Sequence, residues 1–157
     1  MSNHSIILAA TSEHYAQAKS LFEAYQKYLG IDLCFQGFAA EIDSLSTMYG
    51  PPRGALLLAR VEEDAVGCVG LRDLGDNIAE MKRMYVLPLF QGQGIGKALT
   101  IRFIATAKLL GYDAIRLDTI PKLERALDLY RRMGFTEIEA YRHNPEPTAL
   151  FLELRLK

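Results

Sequence analysis

Apolar positions recur with two different spacings along this chain, and the spacing predicts which segments are strands and which are helices. The short apolar run from Ser5 to Ala9 predicts a strand, and Thr11 or Ser12 can cap the helix that follows it. Gly30 is suited to end that helix, and a second helix is predicted from about Phe38. The first helix is predicted from a stripe of apolar residues at helical spacing, which comprises Ala18, Leu21, Phe22, Tyr25 and Leu29.

The middle of the chain is predicted to be an antiparallel meander. A Gly-Pro-Pro sequence at residues 50–52 breaks the helical pattern. Three segments suited to strands follow it, and the short polar turns between them are typical of strands joined by hairpins. The predicted strands are Ala55 to Val61, Ala65 to Leu74 and Ile78 to Val86.

The C-terminal half alternates between helices and strands. A helix is predicted from Lys97, and Gly111 ends it. The later elements are predicted at Ala114 to Ile120 (strand), Lys122 to Met133 (helix), Glu137 to Tyr141 (strand) and Ala149 to Leu156 (strand). The complete predicted order is therefore β-α-α-β-β-β-α-β-α-β-β, which belongs to the α/β class.

Composition and charge favour one globular domain with a small partner. The chain has 157 residues, of which 50% are hydrophobic, so we expect a single domain over residues 1–157. Eighteen Lys and Arg stand against nineteen Asp and Glu, a formal charge of -1, and no block of like charge occurs. These features give no reason to expect binding to nucleic acid or to a membrane surface. We expect a small-molecule partner.

The sequence contains no signal for export, for a membrane span or for a metal. No apolar run reaches the length of a membrane span, and residues 1–5 lack the features of a signal peptide, so a cytoplasmic location is predicted. Cys34 and Cys68 are too few for a disulfide scaffold and share no metal-ligand spacing. No metal is expected.

The most informative segment is the glycine-rich run Gln91 to Gly96, which leaves a predicted strand and enters a predicted helix. Such a turn directs several unpaired amides and the positive end of the helix dipole at one point, which favours phosphate binding. A Walker loop does not fit, because only three residues separate Gly92 from Gly96 and Ala98 follows Lys97. A dinucleotide fingerprint does not fit either, because Lys97 occupies its last glycine position.

The run from Gln91 through Gly94 to Gly96 resembles the Gln-x-x-Gly-x-Gly pyrophosphate loop of the GNAT superfamily of acetyl-CoA-dependent N-acetyltransferases. A second motif lies downstream, since Leu129, Tyr130 and residues 134–135 (Gly-Phe) resemble that superfamily's fourth helix and its exit into the next strand. The resemblance implies the GNAT fold, with this element order around a central mixed and splayed sheet. It also implies acetyl-CoA as cosubstrate.

The resemblance assigns cofactor-binding roles to particular positions. It implies that an unpaired backbone amide of Met84 or Val86 stabilises the developing oxyanion and that pantetheine pairs with the same strand. The cofactor-binding set carried over is Met84, Tyr85, Val86, Gln91, Gly92, Gln93, Gly94, Ile95, Gly96, Lys97 and Ala98. One departure occurs at Leu123, where many members carry an asparagine that contacts pantetheine.

Two catalytic residues follow from the resemblance. Glu80 occupies the position of a catalytic glutamate and is the candidate general base, with partnership to a substrate ammonium as its other role and Asp118 as the alternative carboxylate. Tyr130 is the candidate general acid for the departing thiolate, whereas a tyrosine on an apolar helix face ordinarily serves packing.

The acceptor pocket in this architecture is implied to lie between the first two helices, their loop and the final hairpin. An Arg-containing, partly aromatic set would suit a small primary amine that also carries a carboxylate, such as an amino acid. The candidate substrate-binding residues are Tyr25, Asp32, Phe35, Gln36, Arg53, Arg83, Asp118, Tyr141 and Asn144.

Two functions from different classes stay open at this point. One is an N-acetyltransferase that works by direct attack in a ternary complex, and the other is a non-catalytic acyl-CoA-binding module or sensor. Glu80 and Tyr130 favour the enzyme, because a binding module needs neither a base nor an acid. The resemblance is compatible with a homodimer, formed by pairing of the alternating last strand, and with a monomer.

Overall fold

The computed structural model describes residues 3–30 and 37–157, so Asp32, Cys34, Phe35 and Gln36 lie outside the described residues. The helices are α1 (Ser12–Leu29), α2 (Phe38–Ile42), α3 (Leu45–Met48), α4 (Ile95–Leu109) and α5 (Glu124–Arg132), with a 3-10 turn at Pro88–Phe90. The strands are β1 (His4–Leu8), β2 (Ala55–Val61), β3 (Asp64–Gly75), β4 (Ile78–Val86), β5 (Ala114–Thr119), β6 (Thr136–Ile138) and β7 (Leu150–Arg155).

In the described residues, seven strands form one mixed sheet in the order β1-β2-β3-β4-β5-β7-β6. The meander predicted from β2 to β4 is confirmed, because β2 pairs with β3 and β3 with β4 in antiparallel fashion. The pair formed by β4 and β5 is parallel, which makes the sheet mixed as predicted. Within the same residues, no helix combines the length and apolar character that a membrane crossing requires.

The predicted caps of α1 are both present. The Thr11 side chain accepts a hydrogen bond from the backbone amide of His14, which satisfies one otherwise unpaired amide of the first turn. Gly30 ends the helix in the left-handed conformation with φ 68°, a backbone state that glycine adopts without strain. Local sequence therefore determines both ends of this helix.

Three elements differ from the prediction. The predicted second helix is two short helices, α2 and α3, because Ser44 leaves helical geometry between them. The strand predicted at Glu137 to Tyr141 is only Thr136–Ile138, since the chain beyond it turns so that Tyr141 bonds a residue of β4. Helix α5 starts at Glu124, because Leu123 has non-helical backbone angles.

The sheet carries one apolar core on each face. Side chains of α4 and α5, including Phe103 and Leu127, pack on one face with Ala79 and Met81 of β4. Side chains of α1, including Phe22, pack on the other face with Tyr85 of β4. We call these the α4 face and the α1 face.

Strands β4 and β5 diverge, which is the predicted splay. They pair over Ile78–Glu80 and Ala114–Arg116, whereas β4 continues to Val86 and β5 to Thr119. A register shift in the pairing of β3 with β4 marks a bulge, and Arg83 within it has φ 59°. Two strands that separate beyond Glu80 leave backbone groups available for a ligand.

Strand β7 lies inside the sheet. It pairs with β5 through Leu150 to Arg155 and with β6 through Phe151 to Glu153. The sequence is compatible with a homodimer in which the last strand pairs across the interface. Such pairing needs a strand at the edge of the sheet. Strand β7 is not one, because β6 covers it, and β1 and β6 form the edges of the described sheet.

Candidate active site

A cavity of about 510 Å³ lies where β4 and β5 separate, between the end of β4, the glycine-rich loop and α5. Of the predicted cofactor residues, it is lined by Met84, Tyr85, Val86, Gln91, Gly92, Gly94, Gly96 and Lys97. Ile95 does not line it, because its side chain is in the core, and Gln93 is exposed with its amide directed at the Leu89 carbonyl. Ala98 also lies outside the lining.

The glycine-rich loop presents free backbone amides. Gly92 and Gly94 have φ 80° and 84°, conformations that a side chain would strain. Gly94 caps α4, and the amide of Ala98 is the first to bond within the helix, to the Gly94 carbonyl at 3.0 Å. Amides 92–97 donate to no backbone carbonyl of the described chain, so they can bind an anion.

Three cations surround this loop. Lys97 was predicted, whereas Lys122 and Arg125 were missed, and all three line the cavity. Lys122 donates to the Leu29 carbonyl at 2.8 Å, and Arg125 lies beside Gly92. The sequence did offer a signal for these two residues, since one cation stands just before α5 and the other in its first turn. Only the tertiary structure shows that this turn lies beside the glycine-rich loop.

Tyrosine rings form one wall of the cavity. Tyr85 of β4 contacts Tyr25 and Tyr28 of α1, with ring centroids 5.6 and 5.5 Å apart. Burial and the charges of Asp118, Cys68 and Glu41 raise the pKa of Tyr25 to about 12, against a lowering by Arg83. Tyr25 therefore stays a neutral hydrogen-bonding group at the junction of the cavity with the charged residues of the α1 face.

Tyr130 is buried within α5 beside the cavity. Its ring contacts Phe135 at a centroid distance of 5.7 Å, and Ala126 and Leu129 of the same helix line the cavity. Burial raises the pKa of Tyr130 strongly. The phenol is therefore protonated at neutral pH, as a proton donor must be.

Glu80 is fully buried and surrounded by donors on the α1 face. Arg72 Nε donates to its Oε1 at 2.6 Å, the Tyr141 hydroxyl donates to its Oε2 at 2.7 Å, and Arg142 forms an ion pair with Oε2. The structure thus brings together two predicted residues, Glu80 and Tyr141, and adds two that the sequence analysis missed, Arg72 and Arg142. No local pattern marks these two arginines.

Asp118 lies on the neighbouring strand of the same face. Asn144 donates to its Oδ2 at 3.2 Å, so these two predicted residues also meet. Asp118 is half-buried, and its charge helps to raise the pKa of Tyr25 and of Tyr141, after burial in both cases. It therefore lies near Tyr25, which lines the cavity, and near Tyr141, which bonds Glu80.

Two predicted substrate residues have other partners. Arg83 is buried and forms a bidentate ion pair with Glu41. Arg53 donates to the Leu110 carbonyl at 2.8 Å and to Asn77 Oδ1 at 2.7 Å, and its guanidinium stacks on the Tyr112 ring. These contacts place Arg53 on the α4 face, away from the charged residues of the α1 face.

No group of three or more potential metal ligands occurs in the part of the chain that the structure describes.

The geometry has counterparts among known proteins. Residues 12–135 match the model of the Acetyltransferase (GNAT) family. An uncharacterized N-acetyltransferase of Schizosaccharomyces pombe is 36% identical over 157 residues, covering 99% of this chain and 96% of the relative. The N-acetylaspartate synthetase of Rattus norvegicus is 36% identical over 94 residues, covering 59% of this chain and 31% of the relative. A crystal structure of a GNAT-family acetyltransferase of Staphylococcus aureus superposes with a TM-score of 0.81 at 27% identity, covering 98% of this chain and 99% of that one.

Proposed function

Because the chain belongs to the acetyltransferase (GNAT) family, we propose that it transfers the acetyl group of acetyl-CoA directly to the primary amine of a small molecule. The observation that carries this proposal is the cavity at the end of β4, which free backbone amides of the glycine-rich loop line. Helix α5, which carries Tyr130, lines the cavity on one side, and Tyr25, which is close to the charged residues Asp118 and Arg83, lines it on another.

The cavity suits the diphosphate and pantetheine parts of acetyl-CoA. Amides 92–97 and the positive end of α4 favour the diphosphate, and Lys97, Lys122 and Arg125 add positive charge. The splayed edge of β4 from Met84 to Val86 suits an extended pantetheine arm. Acetyl-CoA supplies the thioester, and the chain supplies position, a proton acceptor and a proton donor.

The proton acceptor is one of two carboxylates. An amine proton could reach Glu80 only by displacing Arg72, Arg142 or the Tyr141 hydroxyl. Asp118 is half-buried, accepts from Asn144 at 3.2 Å and lies close to Tyr25, which lines the cavity. These contacts favour Asp118 as the base and Glu80 as the residue that holds Arg72 and Arg142 in place. The base role of Glu80 stays a prediction from the sequence.

The proton balance of the transfer is straightforward. Asp118 takes one proton from the substrate ammonium and passes it to solvent, and the neutral nitrogen attacks the thioester carbon. The carbon–sulfur bond breaks, and sulfur takes the Tyr130 proton. The nitrogen then loses a second proton, which returns to the oxygen of Tyr130 and restores its phenol. Tyr130 can act in this way because its buried phenol is protonated.

The name of one relative supports an amino-acid-like acceptor. The rat protein that is 36% identical over 94 residues is named for N-acetylaspartate, an acetylated amino acid.

The test is release of CoA thiol from acetyl-CoA against a panel of amino acids, polyamines, aminoglycosides and a lysine peptide. We expect turnover with one class of amine and a loss of at least about tenfold in kcat for Tyr130→Phe. Tyr112→Phe is the matched control, because it removes a buried hydroxyl that bonds the Arg53 carbonyl on the α4 face. Acetyl-CoA binding without turnover of any amine would instead support a binding module, and failure to bind acetyl-CoA would overturn the proposal.

A further inference from the structure

Two guanidinium groups share one carboxylate on the α1 face. Arg72 bonds Oε1 of Glu80, and Arg142 pairs with Oε2 of the same side chain. Glu80 is fully buried, whereas the side chains of Arg72 and Arg142 are 31% and 20% exposed. Both guanidinium groups therefore contact the same buried carboxylate, and each arginine side chain stays partly exposed to solvent.

Glu80 supplies only one negative charge in direct contact with these two cations. Arg116 forms an ion pair with Glu153 at 2.8 Å, so the charges of these two residues cancel each other. Arg72, Arg142 and Glu80 together carry a formal charge of +1. Burial and the neighbouring charge of Arg72 lower the pKa of Arg142 to about 10, and the charge of Glu41, which pairs with Arg83, offsets this only in part, so the two guanidinium groups repel each other beside Glu80.

The location of this cluster relates it to the transfer site. Glu80 is the last residue of β4 that pairs with β5, so the cluster lies at the apex of the splay. Tyr141 contacts Glu80 through its hydroxyl, and the guanidinium carbons of Arg142 and Arg116 lie 5.0 and 5.7 Å from its ring centroid. Arg72 and Arg142 are thus held in place where β4 and β5 begin to separate, on the same face as Asp118.

From this geometry we infer that the acceptor amine carries a carboxylate and that Arg72 and Arg142 bind it. This inference rests on the proposed acetyl transfer and names its substrate class. An anion placed against the exposed sides of the two guanidinium groups would relieve their mutual repulsion, and arginine forms charge-assisted hydrogen bonds to carboxylates. Arg53 and Arg83 are not available for this role, because each has its own partners.

The experiment compares amines that differ only in the carboxylate. Each amino acid of a panel is assayed with acetyl-CoA beside its carboxamide and its decarboxylated amine, and the ratio of kcat/KM values is determined. We expect a ratio of roughly tenfold to a hundredfold in favour of the carboxylate, as for a charge-assisted hydrogen bond. The ratio should fall toward one in Arg142→Gln and in Arg72→Gln, chiefly through KM.

Arg132→Gln is the matched control, because this arginine is 77% exposed and pairs with Asp128 on the surface of α5. It should leave the ratio unchanged. Arg142→Lys keeps the charge and should retain part of the preference. Thermal unfolding and acetyl-CoA affinity of each variant show whether it is folded, so that loss of the preference is separated from loss of structure.

The outcomes separate the inference from the function on which it rests. Turnover confined to the carboxylate series, with loss of the preference in both Gln variants, supports the inference. Equal or better turnover of the carboxamides overturns the inference and leaves the proposed acetyl transfer intact. A preference that survives in folded Arg142→Gln and Arg72→Gln overturns the roles of these two residues. Acetyl-CoA binding without turnover of either series overturns both proposals.

Discussion

Arg83 and Glu41 form a buried bidentate ion pair that ties α2 to the bulge of β4. Arg83 Nε and Nη2 donate to Oε2 and Oε1 of Glu41 at 3.0 and 2.7 Å, and the Tyr49 hydroxyl donates to Oε2 at 2.8 Å. Arg83 has φ 59°, which is costly for a residue with a side chain. The ion pair holds this strained residue immediately before Met84, whose side chain lines the cavity.

We predict that Glu41→Gln destabilises the fold by about 3 kcal/mol, because it leaves the buried guanidinium of Arg83 without its anion. The free energy of unfolding in urea measures this effect. Asp43→Asn is the matched control, since Asp43 is 76% exposed and lies 3.9 Å from Lys19. That change should cost less than about 1 kcal/mol. Equal losses in the two variants would contradict a stabilising role for the buried pair.

We predict that Gly94→Ala weakens acetyl-CoA binding by about tenfold or more. Gly94 has φ 84°, and no atom lies within 4 Å of an added Cβ, so the effect comes from backbone strain that displaces the loop amides. Titration with acetyl-CoA gives the dissociation constant.

Gly111→Ala is the control for this strain. Gly111 has φ 86° and equally empty surroundings, but it follows α4 at the end opposite to the cavity. It should lower stability by about as much as Gly94→Ala, roughly 1–2 kcal/mol, and leave the acetyl-CoA affinity unchanged. An unchanged affinity in Gly94→Ala would argue against a role of this loop in binding phosphate.

The two candidate bases are distinguished by the kinetics of their amide variants. If Asp118 accepts the proton, Asp118→Asn should reduce kcat/KM by about a hundredfold or more, chiefly through kcat. Glu80→Gln should raise KM, since Arg72 and Arg142 lose their anchor, and should keep most of kcat. The opposite pattern would assign the base to Glu80.

We predict that the free energy of unfolding rises with pH because Lys82 is buried. Burial, reinforced by the charge of Arg83, lowers its pKa from 10.5 to about 8 in the folded protein. Between about pH 8 and 10.5 the unfolded chain retains a proton at Lys82 that the folded chain has released, so the contribution of Lys82 to stability increases by up to about 1.4 kcal/mol per pH unit. Burial raises the pKa of the Cys68 thiol, so above pH 9 the folded chain keeps that thiol protonated, which opposes the rise and leaves it clearest between pH 8 and 9. Below this range both states are protonated, and the contribution is constant.

Urea unfolding at several pH values measures the Lys82 contribution. Lys82→Met should remove the rise above pH 8, because no titrating group remains at this buried position. Lys19→Met is the control, since the Lys19 side chain is 45% exposed. It should keep the pH dependence of the original protein, and a rise that persists in Lys82→Met would assign it to another group.

The sequence predicted those parts of the site that depend on local chain geometry. The ends of β2 and β4 at residues 55–61 and 78–86 were predicted as the structure has them, and the glycine-rich turn into α4 was predicted with the helix starting at Lys97, two residues after its observed start at Ile95. The charged contacts of the α1 face were only partly predictable. Asp118, Tyr141 and Asn144 were named from an expected architecture, whereas Arg72 and Arg142 were not named.

The sequence alone determined the order of strands and helices, the caps of α1 and the glycine-rich turn with free amides before α4, because each depends on contacts within a few residues of chain. Only the tertiary structure decided which charges meet. Tyr141 and Glu80 are 61 residues apart, and Arg83 and Glu41 are 42 residues apart. Their partnership depends on strand register, on the bulge and on the packing of α2 against β4, none of which hydrophobic periodicity specifies.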